Sequence, residues 1–216
     1  AEEGAFSDQT PTVGQVAFST EKSGGLVKVT RELLDDSAVN LPALLSQIFQ
    51  EASGRFEDVG ILNGNNTANY GGIIQNSSVA DYVLANATSI TFADLVGVYY
   101  TLEAQHRENA SYVTTSTVMK AINSIQSTGN GITGVGNITD SPSSFILGKP
   151  AILNDVAGNG MGSGLSASSD VGIFGDFKQY YLFDRIGFSI RRNDSLYMGN
   201  DQVGFFATRR GDGQVG

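Results

Sequence analysis

From Leu41 onward, apolar residues return at three- and four-residue steps: Leu44, Leu45, Ile48, Phe49, Ala52, Phe56 and Val59. Such spacing puts one apolar stripe along an amphipathic helix of about five turns. Asn40 can cap its start, and Asn63-Gly64 supplies its stop. A second helix is predicted from Thr91-Phe92-Ala93-Asp94, a capping box with Asp in its last place. Phe92, Leu95, Val96, Tyr99, Leu102 and His106 then keep to one face as far as Glu108. Ser116 is expected to cap a third helix, in which Val118, Met119, Ile122 and Ile125 point one way.

Residues 26–31, 111–115, 151–154, 172–177, 187–192 and 203–210 are short runs rich in β-branched and aromatic residues, bounded by turn formers, and read as strands. Asp35-Asp36-Ser37 closes the first of these segments before Asn40. Residues 1–25 are polar, with scattered glycines, and read as an extended arm or long hairpin loop. Further Gly- and Asn-rich stretches fall at 63–72, 127–144 and 157–169, and the composition shift at the first marks a candidate boundary. With helices in the middle and strands gathered at both ends, the fold class is α+β.

The 216 residues, 40% of them hydrophobic, are enough for one large or two small domains around a core. Acidic residues number 22 against 13 basic ones, a net charge of −9, which argues against a surface built to grip nucleic acid or anionic lipid. The absence of cysteine removes disulfides, thiolate metal sites and thiol nucleophiles. A single histidine, His106, removes multi-histidine cages, so no cofactor or metal is expected. No stretch approaches the roughly 20 apolar residues that cross a bilayer. The sequence starts without Met, and the residues after Arg210 add no closing element beyond the last strand, so a trimmed or processed chain is expected.

Gly129-Asn130-Gly131-Ile132-Thr133-Gly134 matches a dinucleotide-binding pattern, but a helix precedes it and loop follows, the wrong context for a phosphate site. It reads as a flexible loop. His106, on the apolar stripe, lacks an evident nucleophile or orienting partner and reads as a packed helix residue. The neighbouring acids Asp35-Asp36 and Glu57-Asp58 send their side chains different ways and suit capping and surface charge. Asp176, between Gly175 and Phe177, reads as a fold-determining turn. Arg191-Arg192 and Arg209-Arg210 either meet acids on another chain or protect a solvated strand edge. Asn76-Ser77-Ser78 and Asn137-Ile138-Thr139 fit a glycosylation pattern that a chain this rich in Asn, Ser and Thr produces by chance.

The order of these pieces resembles the major capsid protein of tailed bacteriophages, the Hong Kong 97 fold. Ala1-Glu2-Glu3-Gly4-Ala5 with Val16-Ala17-Phe18-Ser19 is similar to the later part of that family's extended loop, and residues 27–37 to the strand leading into its spine helix. Residues 41–62 with Asn63-Gly64 resemble the spine helix itself. Gly71-Gly72-Ile73 resembles the glycine segment after it, and Leu147-Gly148-Lys149-Pro150 the step before an interior strand. Residues 173–177 and 205–213 are the most specific matches, and the resemblance spans nearly the whole chain.

The resemblance implies an extended loop at 1–25, a peripheral domain at 26–64 and 184–216, and an axial domain at 65–183. It implies a non-enzymatic shell subunit whose partners are copies of itself in hexamers and pentamers, with scaffold, maturation protease and portal proteins around assembly. The shell would enclose DNA without reading its sequence and would touch no membrane, assembling in the bacterial cytoplasm and residing in the virion. Candidate subunit contacts are Phe18, Lys22, Arg31, Glu57, Arg191, Arg192, Arg209 and Arg210. Relatives that weld subunits by an isopeptide bond carry a Lys in the loop and a Glu on the last strand. Ser7 and Thr208 stand at those positions here, so Asn200, which resembles the acceptor, and the more distant Lys22 are expected to form no such crosslink. Two alternatives are an encapsulin-type compartment shell, and a carbohydrate-binding or hydrolytic β-rich domain using Asp176 or Asp184.

Overall fold

The computed structural model describes residues 18–37, 40–65, 70–86, 88–125, 144–162, 165 and 169–216. The Gly129–Gly134 pattern, Ser7 and the Asn137 triplet lie outside them. β1 is Glu21–Thr30, so the strand starts five residues before the expected 26. Its polar, glycine-containing first half carries no alternation of its own and is held by pairing with a distant strand, Glu21 opposite Gly211 and Gly25 opposite Ala207. Arg31 is not part of the strand. Thr30 Oγ1 accepts from Leu33 N at 3.4 Å and caps a short helix, α1 (Arg31–Asp36).

α2 spans Leu41–Asn63, with Asn40 Oδ1 accepting from Ala43 N at 3.3 Å and Pro42 in the first turn, where its missing N–H does no harm. α3 is Phe92–Thr101. Thr91 and Asp94 close the expected box: Thr91 Oγ1 accepts from Asp94 N at 3.3 Å, and Asp94 Oδ2 accepts from Thr91 N at 2.9 Å. The predicted continuation to Glu108 breaks. Glu103 is extended (φ −61°, ψ 145°), and Ala104–Arg107 form a separate turn, α4. Arg107 causes the stop by taking over helix-end carbonyls, Nε donating to Leu102 O at 2.7 Å and Nη2 to Tyr100 O at 3.1 Å. His106 therefore sits half-buried on α4 rather than on a continuous apolar stripe.

β2 (Ser111–Thr114) leads into α5 (Ser116–Asn123). Thr115, not Ser116, is its cap, because the Ser116 amide and hydroxyl both donate to Asp155. β3 (Phe145–Ile146), which sequence reading missed, turns through Leu147 (φ 49°) and Gly148 (φ 76°) into β4 (Lys149–Leu153). β5 is Gly172–Gly175. Asp176 Oδ1 then accepts from Lys178 N at 3.1 Å and caps the single turn Phe177–Gln179. The last strands, β6 (Tyr180–Asn193) and β7 (Gln202–Val215), are both longer than expected.

Two sheets result. β1, β7 and β6 form an antiparallel sheet in that order, so β7 is central and Arg209-Arg210 lie on no edge, which removes that reading for this pair. The residues after Arg210 do close the sheet: Gly211 and Gly213 pair with Asp184 and Leu182. α2 lies on one face, where Val29, Phe49, Val203, Phe205 and Ala207 are buried and Leu41 and Leu45 pack against them. The expected single stripe is split: Leu45 and Phe49 face the sheet, whereas Leu44, Ile48 and Phe56 remain 42%, 49% and 40% exposed. The second sheet, β3-β4-β2-β5, packs with α3 and α5 around Leu95, Tyr112, Val118, Met119, Ile122 and Ile146. Leu62, Val113 and Met161 form a smaller cluster where α2 ends against this second unit.

Asp94 supplies a prediction. Burial works against its charge, but the Thr91 hydroxyl and the amides of Ala85 and Thr91 overcome this and hold the carboxyl below its usual value. A carboxyl lowered on folding stabilises the fold above its unfolded value, about 4, and loses that contribution as pH falls through the folded value. Asp94→Asn is expected to cost about 1–2 kcal/mol at pH 7. Urea titrations from pH 7 down to 3 should show the gap from the parent chain narrowing; a gap that stays constant would mean the charge is not what holds the cap.

Candidate functional site

Alternation along β7 sends Val203, Phe205, Ala207 and Arg209 toward α2, and Gly204, Phe206, Thr208 and Arg210 to the other, open face. Residues directly opposite one another share a face. Lys22 lies opposite Arg210, Leu26 opposite Phe206 and Lys28 opposite Gly204, and Arg191 also lies opposite Phe206. The open face thus collects four cations around Leu26 and Phe206. Among the described residues, no ion pair engages Lys22, Lys28, Arg191 or Arg210.

On the helix side, Arg209 reaches Glu57 on α2 and grips Asp184 on β6, Nε at 3.1 Å and Nη2 at 2.8 and 2.9 Å from the carboxylate oxygens. Glu57 and Arg209, expected at subunit contacts, are therefore joined within one chain, at 20% and 18% side-chain exposure. Next to them a groove of about 430 Å³ opens between α2 and the sheet, lined by Gly24, Gly25, Phe49, Ala52, Phe56 and Phe188 among others. Beside it runs the exposed row Leu44, Ile48, Ala52, Phe56, one residue per turn along α2.

A third feature anchors the chain as it enters β1. Asp212, 3% exposed, accepts from Ser19 N through Oδ2 and from Gly213 N through Oδ1, each at 2.7 Å. Phe18 stacks on Phe183 with ring centroids 5.4 Å apart. Gly71 N donates to Gly213 O at 2.7 Å, and Tyr180 OH donates to Gly71 O at 3.0 Å. A Cβ at Gly213 would lie 2.7 Å from the Tyr180 ring, so the close packing requires glycine. Burial pushes the phenols of Tyr70 and Tyr180 up; Asp184 and Asp212 add to this for Tyr70, and Asp212 and Tyr70 for Tyr180. Both stay neutral, and Tyr180 keeps its proton for the bond to Gly71.

The remaining expected contacts are engaged locally. Arg192 Nε lies 2.7 Å from Asp194, and Arg31 Nε lies 3.5 Å from Asp201. The two carboxylates considered for hydrolysis are both taken: Asp176 caps its turn and Asp184 binds Arg209. Among the described residues, no group of three His, Cys, Asp or Glu could hold a metal ion, and no helix is long and apolar enough to cross a membrane. Sequence reading missed Asp212, Tyr70 and Tyr180, whose one local signal is an acid between two glycines in a strand.

Comparison with known proteins places these features in context. The model of the phage capsid family matches residues 1–216. Among solved structures, the capsid of a native GTA particle superposes with a TM-score of 0.84 at 22% identity, covering 100% of this chain and 75% of that one. A chain of Mycobacterium phage Cain superposes with a TM-score of 0.66 at 15% identity, covering 92% of this chain and 67% of that one. No curated protein sequence matches.

Proposed function

The chain belongs to the phage capsid family as a structural subunit of an icosahedral shell, and from that membership we propose how its surfaces serve assembly. Copies join as hexamers and pentamers through the open sheet face and the exposed row on α2, and the closed shell holds DNA. Residues 26–64 and 184–216 act as the peripheral domain and 65–183 as the axial domain; of the expected loop at 1–25, residues 21–25 belong to β1 and pair with β7 of the same chain, and residues 1–17 lie outside the described residues. Scaffold, protease and portal proteins attend assembly in the bacterial cytoplasm. The encapsulin-type and carbohydrate-domain alternatives are not favoured.

The observation that carries the surface assignment is the cation set Lys22, Lys28, Arg191 and Arg210, which forms no ion pair among the described residues, in a chain of net charge −9. A basic face on an acidic protein suits an acidic partner surface, and every further copy supplies one. Residues 1–17 contain three acids, Glu2, Glu3 and Asp8, and no cation.

The test separates contact from folding by sign. Lys22 faces a like charge, Arg210, across the strand pair, so Lys22→Glu should raise subunit stability by about 0.5 kcal/mol. The same change should lower the yield of closed particles seen by negative-stain electron microscopy. Particles at undiminished yield would remove the open face from the contact surface, and a parent chain that forms no particles would contradict the shell role.

A further inference from the structure

The β1–β7 ladder ends at Glu21 opposite Gly211, and the chain ahead of it leaves the line of β1. Ser19 N donates to a side chain, Asp212 Oδ2 at 2.7 Å, instead of to the backbone of β7. One residue further out, the Phe18 ring stacks on Phe183, with centroids 5.4 Å apart and planes inclined by 27°. Phe183 stands opposite Asp212 in the β6–β7 register, and residues opposite one another share a face. Ser19 held to β7 and Phe18 held to β6 define one line. Along it the chain crosses the end of the sheet, from one edge strand toward the other.

A carboxylate is a costly group to hold there. Asp212 is 3% exposed, and it forms no ion pair among the described residues. A buried charge is tolerated where hydrogen bonds replace its water. Ser19 N and Gly213 N supply them, one to each oxygen, both at 2.7 Å. The Gly213 bond joins adjacent residues, so Ser19 is the group that the carboxylate brings in from a distance. An amide bound to an ionised acceptor is held about twice as strongly as one bound to a neutral group. The base of the clamp is also fixed: Gly71 N donates to Gly213 O at 2.7 Å, and Tyr180 OH donates to Gly71 O at 3.0 Å.

We propose that Asp212 is a positioning residue for assembly: its carboxylate sets the line on which the chain ahead of Ser19 leaves the sheet, across β7 toward β6. This rests on the shell-subunit reading and assigns the direction of departure to one side chain, distinct from the basic face and the α2 row.

Amide hydrogen exchange in the free full-length subunit separates steering from folding. Asp212→Ala removes the acceptor, and Ser19 N should exchange about 10- to 100-fold faster, the weight of a hydrogen bond to a charged group. Amides bonded within the β1–β7 ladder should keep their parental rates. Were Asp212 only a stabiliser of the fold, Ser19 and the ladder would accelerate together, and that result would overturn the proposal. Particle diameters, read by negative-stain electron microscopy, report the consequence for assembly. Ser19→Pro removes the donor at an exposed residue and leaves Asp212 in place. Both variants should shift the product from closed particles of one diameter to mixed diameters and open sheets of subunits. Asp94→Asn, which weakens a helix cap in the second unit, controls for lost stability and should give particles of parental diameter only. Parental diameters from either Asp212→Ala or Ser19→Pro would overturn the proposal and leave the shell role standing. Absence of particles from the unsubstituted chain would overturn both.

Discussion

Arg209→Ala is expected to lower the stability of the free subunit by about 3 kcal/mol, from the loss of one cation that joins three elements. Arg209 lies on the central strand and binds Glu57 on α2 together with Asp184 on the edge strand β6. Without the guanidinium, two carboxylates confront each other with nothing between them. Glu57 is at 20% side-chain exposure and cannot fully rehydrate; Asp184, at 53%, largely can, which keeps the expected loss at the low end for a broken buried pair. Arg209→Lys should recover less than half, because an ammonium cannot make the forked contact to Asp184. Arg209→Ala combined with Glu57→Gln should be less damaging than the two losses added, since the second change removes the charge that the first strands. Urea unfolding with an unchanged m-value measures all of these. A loss below about 0.5 kcal/mol for Arg209→Ala would show the clasp to be an ordinary surface ion pair.

The sequence carried α2 and its caps because their causes are local: a helical period, an Asn before it, an Asn-Gly after it. The Thr91–Asp94 box was legible for the same reason. The first half of β1, the Gly211-Asp212-Gly213 end of β7 and the two-residue β3 were not, because each is a strand only by virtue of distant partners. Arg209 illustrates the limit for the site. Read along the chain it is half of a basic doublet, free for a neighbour or for solvent. Strand alternation decides otherwise, turning Arg209 inward to Glu57 and Arg210 outward beside Lys22, so adjacent residues have separate roles. Asp212 was hidden similarly: its partner Ser19 is 193 residues away.

Phe49→Ala and Ile48→Ala should divide folding from assembly within one turn of helix. Phe49 is 8% exposed and wedged against the sheet beside Gly25, Val29 and Phe205, so its truncation removes an aromatic ring from the α2 contact and is expected to cost about 3–4 kcal/mol in the free subunit. Ile48, its neighbour, is 49% exposed on the outward row with Leu44 and Phe56, and Ile48→Ala should change subunit stability by less than about 0.5 kcal/mol. If the outward row is covered by another copy, Ile48→Ala should nonetheless reduce particle yield, while Phe49→Ala reduces it only to the extent that folded subunits are lost. Urea midpoints set beside particle counts from the same preparations distinguish the two. Equal yields for Ile48→Ala and the parent chain would mean that the row is solvated in the shell. The split of one sequence stripe into an inner and an outer edge would then have no assembly role.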